Sequence, residues 1–168
     1  MILLRPATLA DLNLLRRWDS QPHVITAKNS DDVEDWGWET GLARNPPWRE
    51  QLIAELDGRP IGFVQIIDPA LEESHYWGDV GGNLRAIDVW LGEASDLGKG
   101  YGTHIMQLAL ARCFAEANVT AVLIDPLAGN TRAHRFYERI GFRFVEPRRF
   151  GDDKCLVYQI RREEFTRR

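Results

Sequence analysis

The chain has 168 residues, 44% of them hydrophobic and 27% charged, with a net charge of −4 at pH 7. That is the size and balance of one globular domain over residues 1–168, and it excludes a collagen-like, low-complexity or strongly basic nucleic-acid-binding chain. No apolar run reaches the roughly 20 residues of a membrane span. There is no basic leader with an apolar core, and Cys113 and Cys155 stand at no metal-ligand or disulfide-framework spacing. A reduced, cytoplasmic setting without metal, membrane or nucleic acid is therefore expected, as a monomer or homodimer.

In chain order, Ile2–Pro6 reads as a strand and Thr8–Asp19 as a helix that Thr8 or Asp11 could cap, with Pro22 breaking the pattern. A second helix is predicted over Asp31–Ala43, with Ser30 as its cap and acids in its first turn, ended by Pro46 and Pro47. Gln51–Leu56 and Ile61–Ile67 form a hairpin about Asp57-Gly58. Asp68–Asn83 is a long loop with four acids and no Lys or Arg. Leu84–Leu91 is a strand, and a helix runs from Gly100 to about Ala117. It buries Ile105, Met106, Ala109, Leu110 and Cys113 on one side. Val119–Ile124 is a strand stopped by Asp125-Pro126. Asn130 opens a helix closed by Gly141, and Phe142–Val145 pairs with Cys155–Ile160. The result is an α/β (α+β) fold, a mixed sheet of about seven strands flanked by about four helices.

The stretch Ile87–Thr103 (IDVWLGEASDLGKGYGT) organises the rest. A strand enters a glycine-spaced loop and then a helix, whose first amides lack intrahelical partners and favour an anion. Dinucleotide spacing fails, because Thr103 stands where G-x-G-x-x-G needs glycine, and no Gly-Lys-Ser/Thr ending marks a P-loop.

The loop L-G-K-G-Y-G-T resembles the pyrophosphate loop of the GNAT superfamily of N-acetyltransferases, Q/R-x-x-G-x-G/A, with Leu97 in place of the usual Gln or Arg. About thirty residues on, N-T-R-A-H-R-F-Y-E-R-I-G-F is similar to that family's N-x-x-A-x-x-x-Y-x-x-x-G-F. The resemblance implies acetyl-CoA as cosubstrate. Its pantetheine arm would lie on the main chain of Trp90 and Leu91. Its pyrophosphate would sit on amides of Leu97, Gly98, Lys99, Gly100, Tyr101, Gly102 and Thr103. Asn130 would touch the arm, or serve as a helix cap, or both. Asp88 would be a base or ammonium-positioning group; a salt bridge to Arg85 is its structural alternative. Tyr137 would be the acid for the departing thiolate, or else a packing residue.

Within that superfamily, the same stretches and D-G-R-P-I-G-F-V-Q look most like aminoglycoside 6'-N-acetyltransferases. This implies a small polycationic amine substrate met by Asp125, Glu73 and Asp79, with Tyr76 and Trp77 as aromatic walls. Trp36 and Trp38 could add cation–π contacts. An amine of another kind (a siderophore intermediate, a polyamine or a protein N-terminus) is the alternative, and a non-catalytic CoA-binding module is the third reading.

Residues 130–168 carry eleven Lys/Arg against six Asp/Glu, so the rest of the chain is acidic. An acidic face for a cationic substrate and a basic one for a phosphorylated cofactor is the sharper reading of that asymmetry.

Overall fold

The computed structural model describes residues 1–28 and 36–166. Seven strands form one sheet: β1 (Ile2–Pro6), β2 (Arg49–Leu56), β3 (Arg59–Ile67), β4 (Leu84–Leu91), β5 (Ala121–Ile124), β6 (Arg143–Phe150) and β7 (Asp153–Arg161), in the order β1-β2-β3-β4-β5-β7-β6. Every pairing is antiparallel except β4–β5. Six helices are seen among the described residues: α1 (Leu12–Asp19), α2 (Pro22–Ala27), α3 (Trp38–Ala43), α4 (Tyr101–Ala115), α5 (Thr131–Ile140) and α6 (Arg162–Thr166). The mixed sheet is the expected one, with two short helices more than predicted. Pro22 does not simply break a helix. It starts one, since its fixed φ and missing N–H suit the first helical position. The N-terminal part of the helix predicted over Asp31–Ala43, with Ser30, lies outside the described residues.

Alternation along the strands sends successive side chains to opposite faces. Ile87, Val89 and Leu91 of β4 join Val64 and Ile66 of β3 under α4, in a core with Ile105, Met106, Ala109 and Leu110. On the other face the apolar material falls into two clusters. Phe63 and Ile53 pack with Leu15, Trp18 and Trp38 under α1 and α3, with Trp36 and Trp90 against them. Ile67 and Ala86 pack with Trp77, Phe150 and Cys155 beneath the acidic loop. Asp88 lies on the same strand face as Ala86 and Trp90, between the two clusters.

Candidate active site

β4 and β5 pair only over Leu84–Ala86 and Ala121–Leu123. Beyond that, β5 stays with β7 and ends at Asp125-Pro126, while β4 runs on beside β3. The two strands splay, and a cleft of about 940 Å³ opens between them. Gly92 N donates to Ile61 O at 3.0 Å. With the pairs Phe63–Trp90 and Gln65–Asp88, this turns the main chain of even-numbered β4 residues toward β3 and that of Val89 and Leu91 toward the open edge. Trp90 was expected to offer its main chain to the cofactor arm. That expectation is corrected: its main chain is turned toward β3 and used by the sheet, although the residue itself lines the cleft. Val89 is instead the residue whose main chain faces the open edge, a position that local sequence could not single out because edge and inner faces depend on register with β3. At Leu91 the carbonyl is already met by His23 Nε2 at 2.8 Å, which leaves its N–H for a ligand.

At the cleft mouth stand Leu97, Gly98, Gly100, Gly102 and Thr103. Gly98 and Gly100 lie in the left-handed region at φ 73° and 82°. This conformation turns successive amides outward, and no side chain caps the start of α4. Lys99 is exposed, and Tyr101 packs on the core. The loop is anchored from behind. Buried Asp96 takes two bonds of 2.9 Å from the Arg59 guanidinium on the β2–β3 hairpin, which holds its carboxyl below the usual carboxylate range.

Across the cleft, Asn130 caps α5, its Oδ1 accepting from Ala133 N at 3.1 Å. Its amide NH2 remains for a ligand. Asn130→Ala is expected to lower stability by about 1 kcal/mol, the ordinary worth of a cap, and to raise the KM for acetyl-CoA. Thermal melting and steady-state kinetics check the pair, and a melting change with an unaltered KM would leave only the cap.

Tyr137 lies two turns along α5, on the cleft-lining face, edge-on to Phe142. Burial, and then the charges of Asp88 and Asp125, push its phenol well above its ordinary value, so it keeps its proton. Asp88 lines the same cleft and accepts from Gln65 Nε2 at 3.1 Å. The Arg85 alternative is not seen: that guanidinium bonds Asp68 at 3.3 Å and also Glu116.

The substrate candidates divide. Asp125 lines the cleft, and Tyr76 Oη donates to its Oδ2 at 2.5 Å while stacking on Phe150 at 4.5 Å. Burial and Asp125 push the Tyr76 phenol upward, so it acts as a fixed donor behind the carboxylate. Trp77 is corrected: at 2% exposure its ring is core beneath Tyr76, not a wall. Glu73 is also removed from the cleft, its carboxylate bonded to Arg44 at 2.8 Å on the outer surface. Asp79 lines a separate shallow hollow with His75 and Val80. Trp36 borders the cleft, but Trp38 is fully buried, its indole N–H donating to Asp19 at 2.6 Å. Sequence reasoning missed the roles of His23, Lys28, Val89 and Gln65; Val89 and Gln65 fall inside the stretches that carry the resemblance, but nothing in those stretches singles them out.

An open strand edge leading to an amide-lined helix start, with a carboxylate and a neutral phenol lining the same cleft, suits an acyltransferase that works on an extended thioester. Comparison with known proteins agrees. Residues 7–150 match the model of the acetyltransferase (GNAT) domain, and the chain belongs to the GNAT acetyltransferase family. It is 32% identical to an aminoglycoside N(6')-acetyltransferase type 1 of Klebsiella pneumoniae, over 84% of this chain and 73% of that one. It is 30% identical to lysine N-acyltransferase MbtK of Mycolicibacterium paratuberculosis, over 94% and 72%. The crystal structure of aminoglycoside acetyltransferase AAC(6')-Ib with coenzyme A and kanamycin superposes with a TM-score of 0.85 at 29% identity, covering 99% of this chain and 98% of that one. The protein is an acetyl-CoA-dependent N-acetyltransferase.

Proposed function

We propose that the acceptor is the 6'-amine of an aminoglycoside, acetylated between Asp88 and Tyr137 by one domain acting in the cytoplasm, as a monomer or homodimer. The observation that carries this reading is the pair of cleft-facing carboxylates, Asp88 and Asp125, on either side of the open β4–β5 edge. It is supported by relatives and structural neighbours that carry the aminoglycoside acetyltransferase name. No helix among the described residues is long and apolar enough to cross a membrane.

The residues present fit acetyl-CoA. Outward amides at Gly98–Thr103 suit a pyrophosphate, the free edge at Val89 and Leu91 suits an amide-bearing arm, and Asn130 retains an unused NH2. The bound cosubstrate supplies a thioester carbonyl, activated toward amines. Asp88 accepts or orients a proton of the incoming ammonium, which has to become a free amine to attack. Tyr137, holding its proton, donates it to the thiolate that acyl transfer releases. That demand is modest, because a thiolate is already a competent leaving group. Asp125, held by Tyr76, pairs with a second ammonium of the substrate.

A second reading has its own observation: Lys28 lines the cleft beside Trp90. A cation there suits an acceptor bearing a carboxylate, and one relative is named a lysine N-acyltransferase. Lys28 is, however, bonded to Asp19 at 2.5 Å, so its charge is largely neutralised. A panel of kanamycin, spermidine, lysine and a peptide, followed by release of CoA thiol, separates the readings. The highest kcat/KM is expected for kanamycin, and an equal or higher value for any other amine overturns the proposal. Burial pushes the protein's own Cys113 and Cys155 thiols up to about 12, so they stay silent in that assay.

A further inference from the structure

Gln51 on β2, Gln65 on β3 and Asp88 on β4 stand directly opposite one another in the sheet register. All three point to the same face. Gln51 Nε2 donates to Gln65 Oε1 at 3.2 Å, and Gln65 Nε2 donates to Asp88 Oδ2 at 3.1 Å. This polar row crosses three strands and forms the seam between the Trp–Phe cluster and the Trp77–Phe150 cluster. Partly buried amides in such a place are costly unless they are satisfied, and apolar residues of similar size would pack there without that requirement.

The row has a direction. An ionised carboxylate only accepts, so it selects the NH2 end of Gln65. That leaves the Gln65 carbonyl facing β2, where it needs a donor, and Gln51 supplies one. Both amide dipoles then lie with their positive ends toward Asp88. Were Gln51 to offer an acceptor instead, Gln65 would turn over and present its carbonyl oxygen to the carboxylate. Among the described residues, the Tyr137 and Tyr76 phenols, from α5 and from the acidic loop, feel the charge of Asp88; both are raised, chiefly by burial, with Asp88 next for Tyr137 and Asp125 ahead of Asp88 for Tyr76. The charged side chains lining the same cleft are Asp125, Lys28 and three arginines of α5.

We propose that Gln51 is a positioning residue for the transfer reaction, holding the Gln65 amide in the orientation that fixes the Asp88 carboxylate toward the cleft. The inference rests on the reading of Asp88 as the group that meets the ammonium proton. Gln51 itself touches neither substrate nor cosubstrate; its effect passes through one hydrogen bond to Gln65.

The test is a series at position 51 read by kcat, by the KM for acetyl-CoA and by thermal melting, with Asp88→Asn measured alongside. Gln51→Lys keeps a donor toward Gln65 and is expected within about threefold of the wild-type kcat. Gln51→Met removes the donor without imposing the reverse orientation, and kcat falls about tenfold. Gln51→Glu offers only an acceptor, inverts the row and lowers kcat about a hundredfold, the scale of a misplaced reacting group. Throughout, the KM for acetyl-CoA stays within about twofold, because the amides that hold it lie elsewhere. A merely structural role predicts the opposite ranking, with methionine best tolerated. If the Glu and Met variants turn over as fast as the Lys variant while Asp88→Asn is impaired, the positioning role is wrong and the Asp88 reading stands. If Asp88→Asn keeps the wild-type rate, the Asp88 reading fails and the positioning role fails with it. Should Gln51→Glu fail to fold, the Lys–Met comparison decides alone.

Discussion

Asp88→Asn lowers kcat/KM for the amine by about 10²- to 10⁴-fold, the range that a positioned general base contributes, while CoA binding measured by calorimetry is unchanged. Asparagine is close in shape, and its carbonyl can still accept the 3.1 Å bond from Gln65 Nε2. What it loses is the ability to take or attract the ammonium proton. The remaining rate then depends on substrate that reaches the cleft already deprotonated. It should therefore rise about tenfold per pH unit below the amine's own pKa, as the free-base fraction does. The slope is the diagnostic feature. A variant that kept more than a third of the wild-type rate at neutral pH would remove Asp88 from the chemistry and leave it an ornament of the Gln65 row.

Asp88 could be singled out from sequence because a carboxylate inside Ile87–Leu91 breaks a strand's apolar run, and aspartate is depleted in strands. The same local logic placed β1 and β4 at their observed limits, because branched apolar runs bounded by Pro and Gly leave little freedom. It also found Asn130 and Gly141, whose capping chemistry is local. Charge in the acidic loop behaved differently. Glu73 and Asp79 lie in a 16-residue loop whose path has no periodicity to fix it, and neither lines the cleft, whereas Asp125, set at the end of β5, does. Trp77 and Trp38 looked like candidate cation-binding surfaces because acids neighbour them, but their area made burial the stronger force. The role of Trp90's main chain depended on parity against β3, and the Gln51–Gln65–Asp88 row on two such parities at once. A partial signal was available: Gln65 and Asp88 each interrupt an apolar strand, while Gln51 follows Arg49 and Glu50 at the polar start of β2. It becomes meaningful only when the strands are aligned.

Gly92 carries the largest structural prediction. It joins the open edge of β4 to the segment leading into the glycine loop, with Ala94–Asp96 as a short helical turn between them. A Cβ at Gly92 would fall 1.9 Å from Trp18 Cε2 and 2.2 Å from Cδ2 and Nε1, well inside van der Waals contact. Neither partner can yield cheaply. Trp18 is fully buried on α1 among Leu15, Trp38, Ile53 and Phe63, with its N–H bonded to Glu93 at 3.2 Å. Gly92 is tied to Ile61 by its own N–H. Gly92→Ala is therefore expected to cost about 3 kcal/mol or more, above the usual range for an added methyl in a core. For a chain of this length that is a fall in Tm of about 6–12 °C. If the clash is the cause, the loss belongs to the pair. In a Trp18→Leu background, where the ring is gone, adding Gly92→Ala costs under about 1 kcal/mol, giving a strong coupling in a double-mutant cycle. Additive losses would show that Gly92 is needed for some reason other than the ring beside it. The surviving fraction of Gly92→Ala should also have a raised KM for acetyl-CoA. A backbone pushed away from Trp18 shifts Leu91 and the glycine loop together, and both belong to the surface on which the cosubstrate is proposed to lie.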